Sequence, residues 1–154
     1  MRRLINARAE AVSTSRMFGA AFTKRRAIVP AGAFYEWQRK EGDGKQPCAI
    51  ARQDGQPLAF AGLWEGFRWP DGTVLRSFAI VTTNANADVA MIHDRMPVIL
   101  EPADWPVWLG EIEGDPATLL RPAPDGTLRI WPVSRAVNQP RNNRPELLNP
   151  IEAL

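Results

Sequence analysis

Residues 58 to 83 constrain the fold of this chain more than any other stretch. Two strand-like runs, Leu58 to Glu65 and Val74 to Thr83, flank Trp69-Pro70-Asp71-Gly72. Asp-Gly supplies the positive φ angles of a tight turn, so the pattern predicts a β-hairpin. Further short runs stand between turn signals along the chain. Ala27 to Val29 and Phe34 to Gln38 lie on either side of Pro30-Ala31-Gly32, and Cys48 to Ala51 lies between the turn Glu41 to Lys45 and Asp54-Gly55. Val98 to Leu100 and Arg129 to Val133 complete the set of expected strands. Helical signals are brief. Ser15 is placed to cap a helix over Arg16 to Lys24, Asn84 or Asn86 to start one turn leading to His93, and Pro102 to open a helix ending at Leu109. From Ser134 onward the Pro- and Asn-rich stretch through Pro145 disfavours a helix and is expected to be extended or looped. The fold class this predicts is α+β and β-rich: a curved, mostly antiparallel sheet or partly closed barrel with short helices, as a single domain over residues 1–154.

Composition narrows the function classes. At 154 residues with 45% hydrophobic content, the chain is long enough to bury a core and is not a disordered tail. No charged-then-apolar leader opens it, and no apolar run approaches the roughly 20 residues that cross a bilayer, so a soluble, cytoplasmic protein with no membrane partner is expected. One cysteine, Cys48, allows no intramolecular disulfide; one Cys with one His, His93, excludes the usual zinc ligand sets, and no cofactor is expected. The net charge of +2 is small but unevenly spread. Residues 1–26 hold seven basic residues against one acid, a balance of +6, whereas residues 27–120 balance at −6. Such segregation suits either a polyanion-binding face or a solvated helix face.

Six kinds of residue are candidates for chemistry. His93 is the one side chain whose ordinary pKa, about 6.5, lies near neutrality, and Asp94, Arg95 and Pro97 crowd charge and a rigid bend around it. Glu36 sits among aromatics in Phe34-Tyr35-Glu36-Trp37. Strand alternation puts it on one face with Phe34 and Gln38, and Tyr35 and Trp37 on the other. Such a carboxylate is either half-buried with a raised pKa, hence an acid or base, or merely solvated. Asn6, bracketed by apolar residues, is either a turn or sheet-edge amide or an orienter of a substrate hydroxyl. Arg8 and Arg16 are either surface charges or phosphate clamps. Trp37, Trp64 and Trp69 are expected in the core, with stacking on unpaired bases as the alternative. Cys48, inside Pro47-Cys48-Ala49-Ile50 with no basic neighbour, is expected to be buried and inert.

In order and spacing, the blocks Asn6-Ala7-Arg8-x-Glu10, Glu36-Trp37 after two aromatics, and His93-Asp94-Arg95-x-Pro97 resemble the SOS-response-associated peptidase (SRAP) family. Trp131-Pro132-Val133-Ser134 resembles its late strand. The resemblance implies processing of abasic sites in single-stranded DNA, including at junctions with duplex. In the family an N-terminal Cys, in Met-Cys-Gly-Arg, condenses with the abasic aldehyde and closes a thiazolidine, leaving a covalent crosslink, and the same machinery removes the initiator Met. It implies proton transfer by Glu36, sugar ring opening and crosslink reversal by His93, and sugar positioning by Asn6. Phosphates would be held by Arg8, Arg16 and Arg95, with Trp37 packed near the lesion. This sequence begins Met1-Arg2-Arg3, without the Met-Cys-Gly-Arg section. The expectation is therefore an exposed sheet edge and partly exposed core. The missing section is expected either in a longer natural chain or in a separately encoded fragment; without it, the alternative is a noncovalent single-stranded DNA binder.

Overall fold

The computed structural model describes residues 4–39 and 44–151. Met1 to Arg3 and the centre of the expected turn, Glu41 to Asp43, lie outside the described residues. The chain gathers into two compact units, each assembled from three separate stretches.

The first unit comprises residues up to Pro30, Ala59–Asn84 and Met96–Ala123. Its sheet runs in the order β1 (Asn6–Arg8), β6 (Val74–Asn84), β5 (Leu58–Arg68), β2 (Arg26–Ala31), with β7 (Arg95–Pro97) also paired to β6. The β5–β6 hairpin forms as the sequence predicts, with Arg68 opposite Val74 and Gly62 opposite Ile80. Its turn differs from the expected tight one. Gly72 alone has a positive φ, +88°, and Asp71 does not. The Gly72 N–H donates to the Trp69 carbonyl at 2.9 Å, the Trp69 N–H to the Thr73 carbonyl at 2.8 Å, and Asp71 Oδ1 accepts from the Thr73 N–H at 2.9 Å. Pro70 fits the first central position of a type I turn, so the loop is the longer kind that a left-handed glycine closes.

β1 pairs in parallel with β6, an arrangement the mostly antiparallel expectation did not contain. Val98 to Leu100, expected as a strand, is outside the regular ladder. It still bonds to both neighbours, since Val98 N–H donates to the Val81 carbonyl and Val98 carbonyl accepts from Ala61. The helix expected from Arg16 is shorter: Ser15 Oγ accepts from the Met17 and Phe18 N–H groups, each at 3.2 Å, and regular α1 spans Gly19–Lys24. Under the sheet lie Val12, Phe22, Leu63, Val81, Leu100 and the fully buried Trp108 of α3 (Trp105–Leu109). Pro102 begins a 3₁₀ turn that leads into α3, so the helix expected there is present in two pieces.

The outer half of the hairpin is apolar and exposed. Every residue from 64 to 68 and from 74 to 78 is exposed, including the paired Trp64 and Phe78 and the paired Phe67 and Leu75. Trp69, whose ring stacks edge-on to Phe67 at 4.9 Å, is 49% exposed. Trp64 and Trp69 are thus not core residues, because the strands that carry them run beyond the packed part of the sheet. The charge asymmetry is also partly structural. Arg25 pairs with Glu65 at 2.6 Å, and the Arg26 guanidinium binds the carbonyls of Phe22, Thr23 and Trp108. Arg26 thereby satisfies carbonyls that the end of α1 leaves without helical partners.

The second unit comprises Ala31–Leu58, Ala85–Arg95 and the residues from Pro124 onward. Its sheet is antiparallel, in the order β3 (Phe34–Arg39), β4 (Lys45–Arg52), β8 (Leu128–Pro132). β4 is buried from Pro47 to Ala51, as its apolar run demands of a central strand. α2 (Ala87–Ala90) packs on β8 through the fully buried Val89. After β8 the chain is not wholly looped: 3₁₀ turns occupy Arg135–Asn138, capped by Ser134 Oγ, and Pro145–Leu148. Ser134 as a cap and Pro145 at a first helical position are start signals that outweighed the breaking composition. Neither sheet closes into a barrel. No helix among the described residues is long and apolar enough to cross a membrane.

Candidate active site

β3 and the turn after α2 bring Glu36 and His93 into one unit. Pairing of Glu36 with Cys48 and of Gln38 with Gln46 fixes the alternation of β3, so Glu36 and Gln38 share one face and Trp37 takes the other. Gln38 Nε2 donates to the Met91 carbonyl at 3.4 Å, tying the Glu36 face to the turn that carries His93.

That turn is held from several sides. Asn86, one of the two residues expected to start the helix, caps α2: its Oδ1 accepts from the Val89 N–H at 3.1 Å. The loop before β8 closes over the same end. Asp125 Oδ1 accepts from the Ala87 N–H, and Asp88 Oδ2 accepts from the Gly126 N–H, both at 2.9 Å. The Ile92 and His93 N–H groups then donate back to the Val89 carbonyl at 2.8 and 2.9 Å, and Ala85 N–H to the Asp94 carbonyl at 3.0 Å. The imidazole is thus mounted on a cage of backbone bonds whose anchor is the buried Asn86. Asn86→Ala is expected to cost about 1–2 kcal/mol through loss of the cap. A urea midpoint unchanged from wild type would show that α2 does not depend on it.

Within the turn, the Arg95 N–H lies 3.0 Å from His93 Nδ1. A backbone N–H only donates, so in the neutral ring Nδ1 accepts and Nε2 carries the proton. When the ring is protonated, Nδ1–H has the Arg95 carbonyl at 3.1 Å and Asp94 Oδ1 at 3.3 Å to receive it. Either way Nδ1 is engaged by the turn itself.

Glu36 holds its proton more tightly than an ordinary glutamic acid. Burial is the main cause, and the nearby Asp94 carboxylate adds to it; the positive charges of His93 and Lys45 and the Trp37 N–H oppose it. Of the two settings expected for Glu36, the half-buried one with a raised pKa is present. A carboxyl and an imidazole within each other's electrostatic reach are residue types that can serve as an acid–base pair.

The remaining sequence candidates divide between the units. Arg95 stands beside His93 and is partly buried, and Trp37 lies behind Glu36 on the other face of β3. Trp37 Nε1 donates to Asn138 Oδ1 at 2.7 Å. Asn6, Arg8 and Arg16 belong to the first unit and are exposed. Asn6 and Arg8 share the exposed face of β1, opposite the fully buried Ala7, and Arg16 lies on the turn before α1. Sequence reasoning missed Gln38, Asp88 and Asn138 as supports. Gln38 was visible as Glu36's neighbour on the same face, whereas nothing local marks Asn138 as the partner of an indole 101 residues away. Cys48 is 5% exposed in mid-strand, as its apolar setting implied.

Comparison with known proteins finds one family whose sequence model, described as SOS response associated peptidase (SRAP), matches residues 1–140. The abasic site processing protein YoqW of Bacillus subtilis is 40% identical over 149 residues, which cover 95% of this chain and 66% of that protein. The abasic site processing protein YedK of Escherichia coli is 40% identical over 152 residues, covering 96% and 68%. The abasic site processing protein HMCES of Gallus gallus is 34% identical over 165 residues, covering 92% and 48%. Among solved structures, a protein from Bacteroides thetaiotaomicron superposes with a TM-score of 0.86 at 25% identity, over 95% of this chain and 65% of the other. The chain therefore spans about two thirds of the length of the bacterial relatives it matches.

Proposed function

Since the chain belongs to the SOS response associated peptidase (SRAP) family, we propose that it acts on abasic sites in single-stranded DNA and supplies the acid–base pair that works on the abasic sugar. The observation that carries this reading is Glu36, its pKa raised by burial, within electrostatic reach of His93. An abasic deoxyribose is mostly a closed hemiacetal. To open it, the C1′–O4′ bond breaks while the O1′ proton leaves and O4′ gains a proton, giving an aldehyde with no net oxidation. One member of the Glu36–His93 pair accepts the first proton and the other delivers the second. Asn6 positions the sugar, and Arg8, Arg16 and Arg95 hold the flanking phosphates, with Trp37 as a further DNA contact. The setting is the cytoplasm, on single strands and at their junctions with duplex.

The covalent part of the reading requires a free N-terminal cysteine. Its amine condenses with the aldehyde and loses water, and its thiol then adds to the imine carbon while the sulfur proton passes to nitrogen. Cys48 does not fit this role, because its amine is a peptide nitrogen within β4. Crosslinking and removal of an initiator Met therefore call for a cysteine beyond these 154 residues, in a longer chain or in a separately encoded piece. On their own the 154 residues are expected to bind and open abasic sites without trapping them.

The test is fluorescence anisotropy with three labelled 20-mers: an intact single strand, one with an abasic site, and a duplex, alongside a denaturing gel. Tighter binding to the abasic strand supports lesion recognition. Equal binding to both single strands favours the second reading, a noncovalent single-stranded DNA binder, for which the burial of Cys48 speaks. Absence of binding overturns both. Cys48→Ala is expected to leave all three affinities unchanged and to lower stability by about 1 kcal/mol for the atoms removed from the core. A gel-stable adduct that disappears in this variant would contradict the assignment of Cys48 as inert.

A further inference from the structure

The face of β3 opposite Glu36 carries an open cleft. It is an open cavity of about 470 Å³ lined by Trp37, Gly44, Lys45, Arg135 and Asn138. That volume falls in the range of roughly 300–1,000 Å³ typical of small-ligand sites. Strand register makes the grouping inevitable: Trp37 pairs with Pro47 and Arg39 with Lys45, so Trp37 and Lys45 share a face. The opposite wall is the 3₁₀ turn Arg135–Asn138. The bond from Trp37 Nε1 to Asn138 Oδ1 fixes the indole and satisfies its one donor, and Trp37 remains partly exposed. The Arg135 guanidinium lies 3.4 Å from the place a Cβ of Gly44 would take, and Gly44 has a φ of +105°. The absence of a side chain there lets the guanidinium lie against the backbone.

Among the described residues no carboxylate lines the cleft or forms an ion pair with Lys45 or Arg135. A fixed indole beside two cations is the chemistry that receives a stacked base and its phosphate. We propose that this cleft holds one nucleotide of single-stranded DNA on the sheet face opposite Glu36, its base against Trp37 and its phosphate between Lys45 and Arg135. The assignment rests on the reading that the chain binds single-stranded DNA, and it adds a contact region on the other face of β3 from Glu36. The strand would then cross both faces of β3, with the abasic sugar at Glu36 and an intact nucleotide behind it.

A fluorescein-labelled 20-mer of thymidylate, titrated by anisotropy across a sodium chloride series, tests this. Each phosphate contact on a single strand contributes about 0.7 to the slope of log affinity against log salt, so Lys45→Gln combined with Arg135→Gln should reduce the slope by about 1.4. Trp37→Ala should weaken binding about 5- to 150-fold, the range found for single stacked bases, whereas Trp37→Phe should retain most of the affinity by keeping a ring. Arg121→Gln, which removes an exposed charge outside the cleft, serves as the control. A wild-type slope in the double variant overturns the cleft while leaving the DNA-binding reading intact. An equal fall in Arg121→Gln does the same, because the effect would then be one of bulk charge. Wild-type protein that does not bind the oligonucleotide overturns the proposed function and the cleft together.

Discussion

Exchanging Glu36 for Gln is expected to slow opening of the abasic sugar by about 10²- to 10⁴-fold, the usual contribution of a positioned acid or base. Affinity for the abasic strand should stay within about twofold, because Gln preserves the shape and the hydrogen-bonding reach of the side chain. The assay is capture of the aldehyde by an excess of alkoxyamine, followed by mass spectrometry of the oligonucleotide; at saturating trap the protein's effect on ring opening sets the rate. A variant as fast as wild type would remove Glu36 from the chemistry. The same substitution should move stability in the opposite direction. Burial raises the proton affinity of Glu36 above the ordinary value of 4.5. Between 4.5 and the raised value the folded chain binds more protons than the unfolded one. Its stability is therefore highest below that window and declines as pH rises through it. Gln does not ionise and escapes the decline, so Glu36→Gln should be at least as stable as wild type at pH 7, and the difference should vanish near pH 4. A site residue whose removal stabilises the fold is held for its chemistry and not for packing.

How far the sequence anticipated this arrangement depended on whether the determining interactions are local. The hairpin was legible because turn residues and flanking strands are adjacent in the chain, although the sequence did not reveal that Gly72 alone takes the left-handed conformation. Asn86 as a cap and Glu36 on one face of β3 were legible for the same reason: three residues of helix or five of strand suffice to define each. β1 was not. Its three residues show no periodicity of their own, and their parallel pairing with Ile80 to Thr82 depends on a partner more than seventy residues later. The Val98 to Leu100 stretch was expected as a strand, but its residues alone do not show that it meets its neighbour through an isolated bridge at Ile99, since ladder geometry depends on partners elsewhere in the chain. At the site, the residue types were readable while their electrostatics were not. Whether Glu36 keeps or sheds its proton is decided by how deeply β3 is covered and by His93, 57 positions away in the chain; neither leaves a mark on Phe34-Tyr35-Glu36-Trp37.

The tryptophans make the same distinction, and the largest expected loss of stability follows from it. Trp37, Trp64 and Trp69 were the expected core residues, yet Trp64 and Trp69 are 40% and 49% exposed, while Trp108 has no exposed surface. Trp108 joins three parts of the first unit. Its indole N–H donates to the Ala27 carbonyl on β2 at 2.9 Å, its ring lies 6.1 Å from that of Phe22 on α1, and the Arg26 guanidinium stands 5.9 Å over it while binding its carbonyl. Trp108→Ala removes the ring, its cation–π partner and the donor for Ala27 at once. The expected cost is about 3–5 kcal/mol, a large part of the 5–15 kcal/mol that stabilises a typical domain. With a urea m value of about 1–3 kcal/mol/M, the midpoint followed by circular dichroism should fall by at least about 1 M. Trp108→Phe should lose less, since it keeps an aromatic ring but not the hydrogen bond. Trp69→Ala, by contrast, should shift the midpoint little, because it exposes no new surface beyond the edge contact with Phe67. A comparable loss for Trp69→Ala and Trp108→Ala would mean that the outer hairpin is as much a part of the folded core as α3, and that its apolar residues are covered in solution.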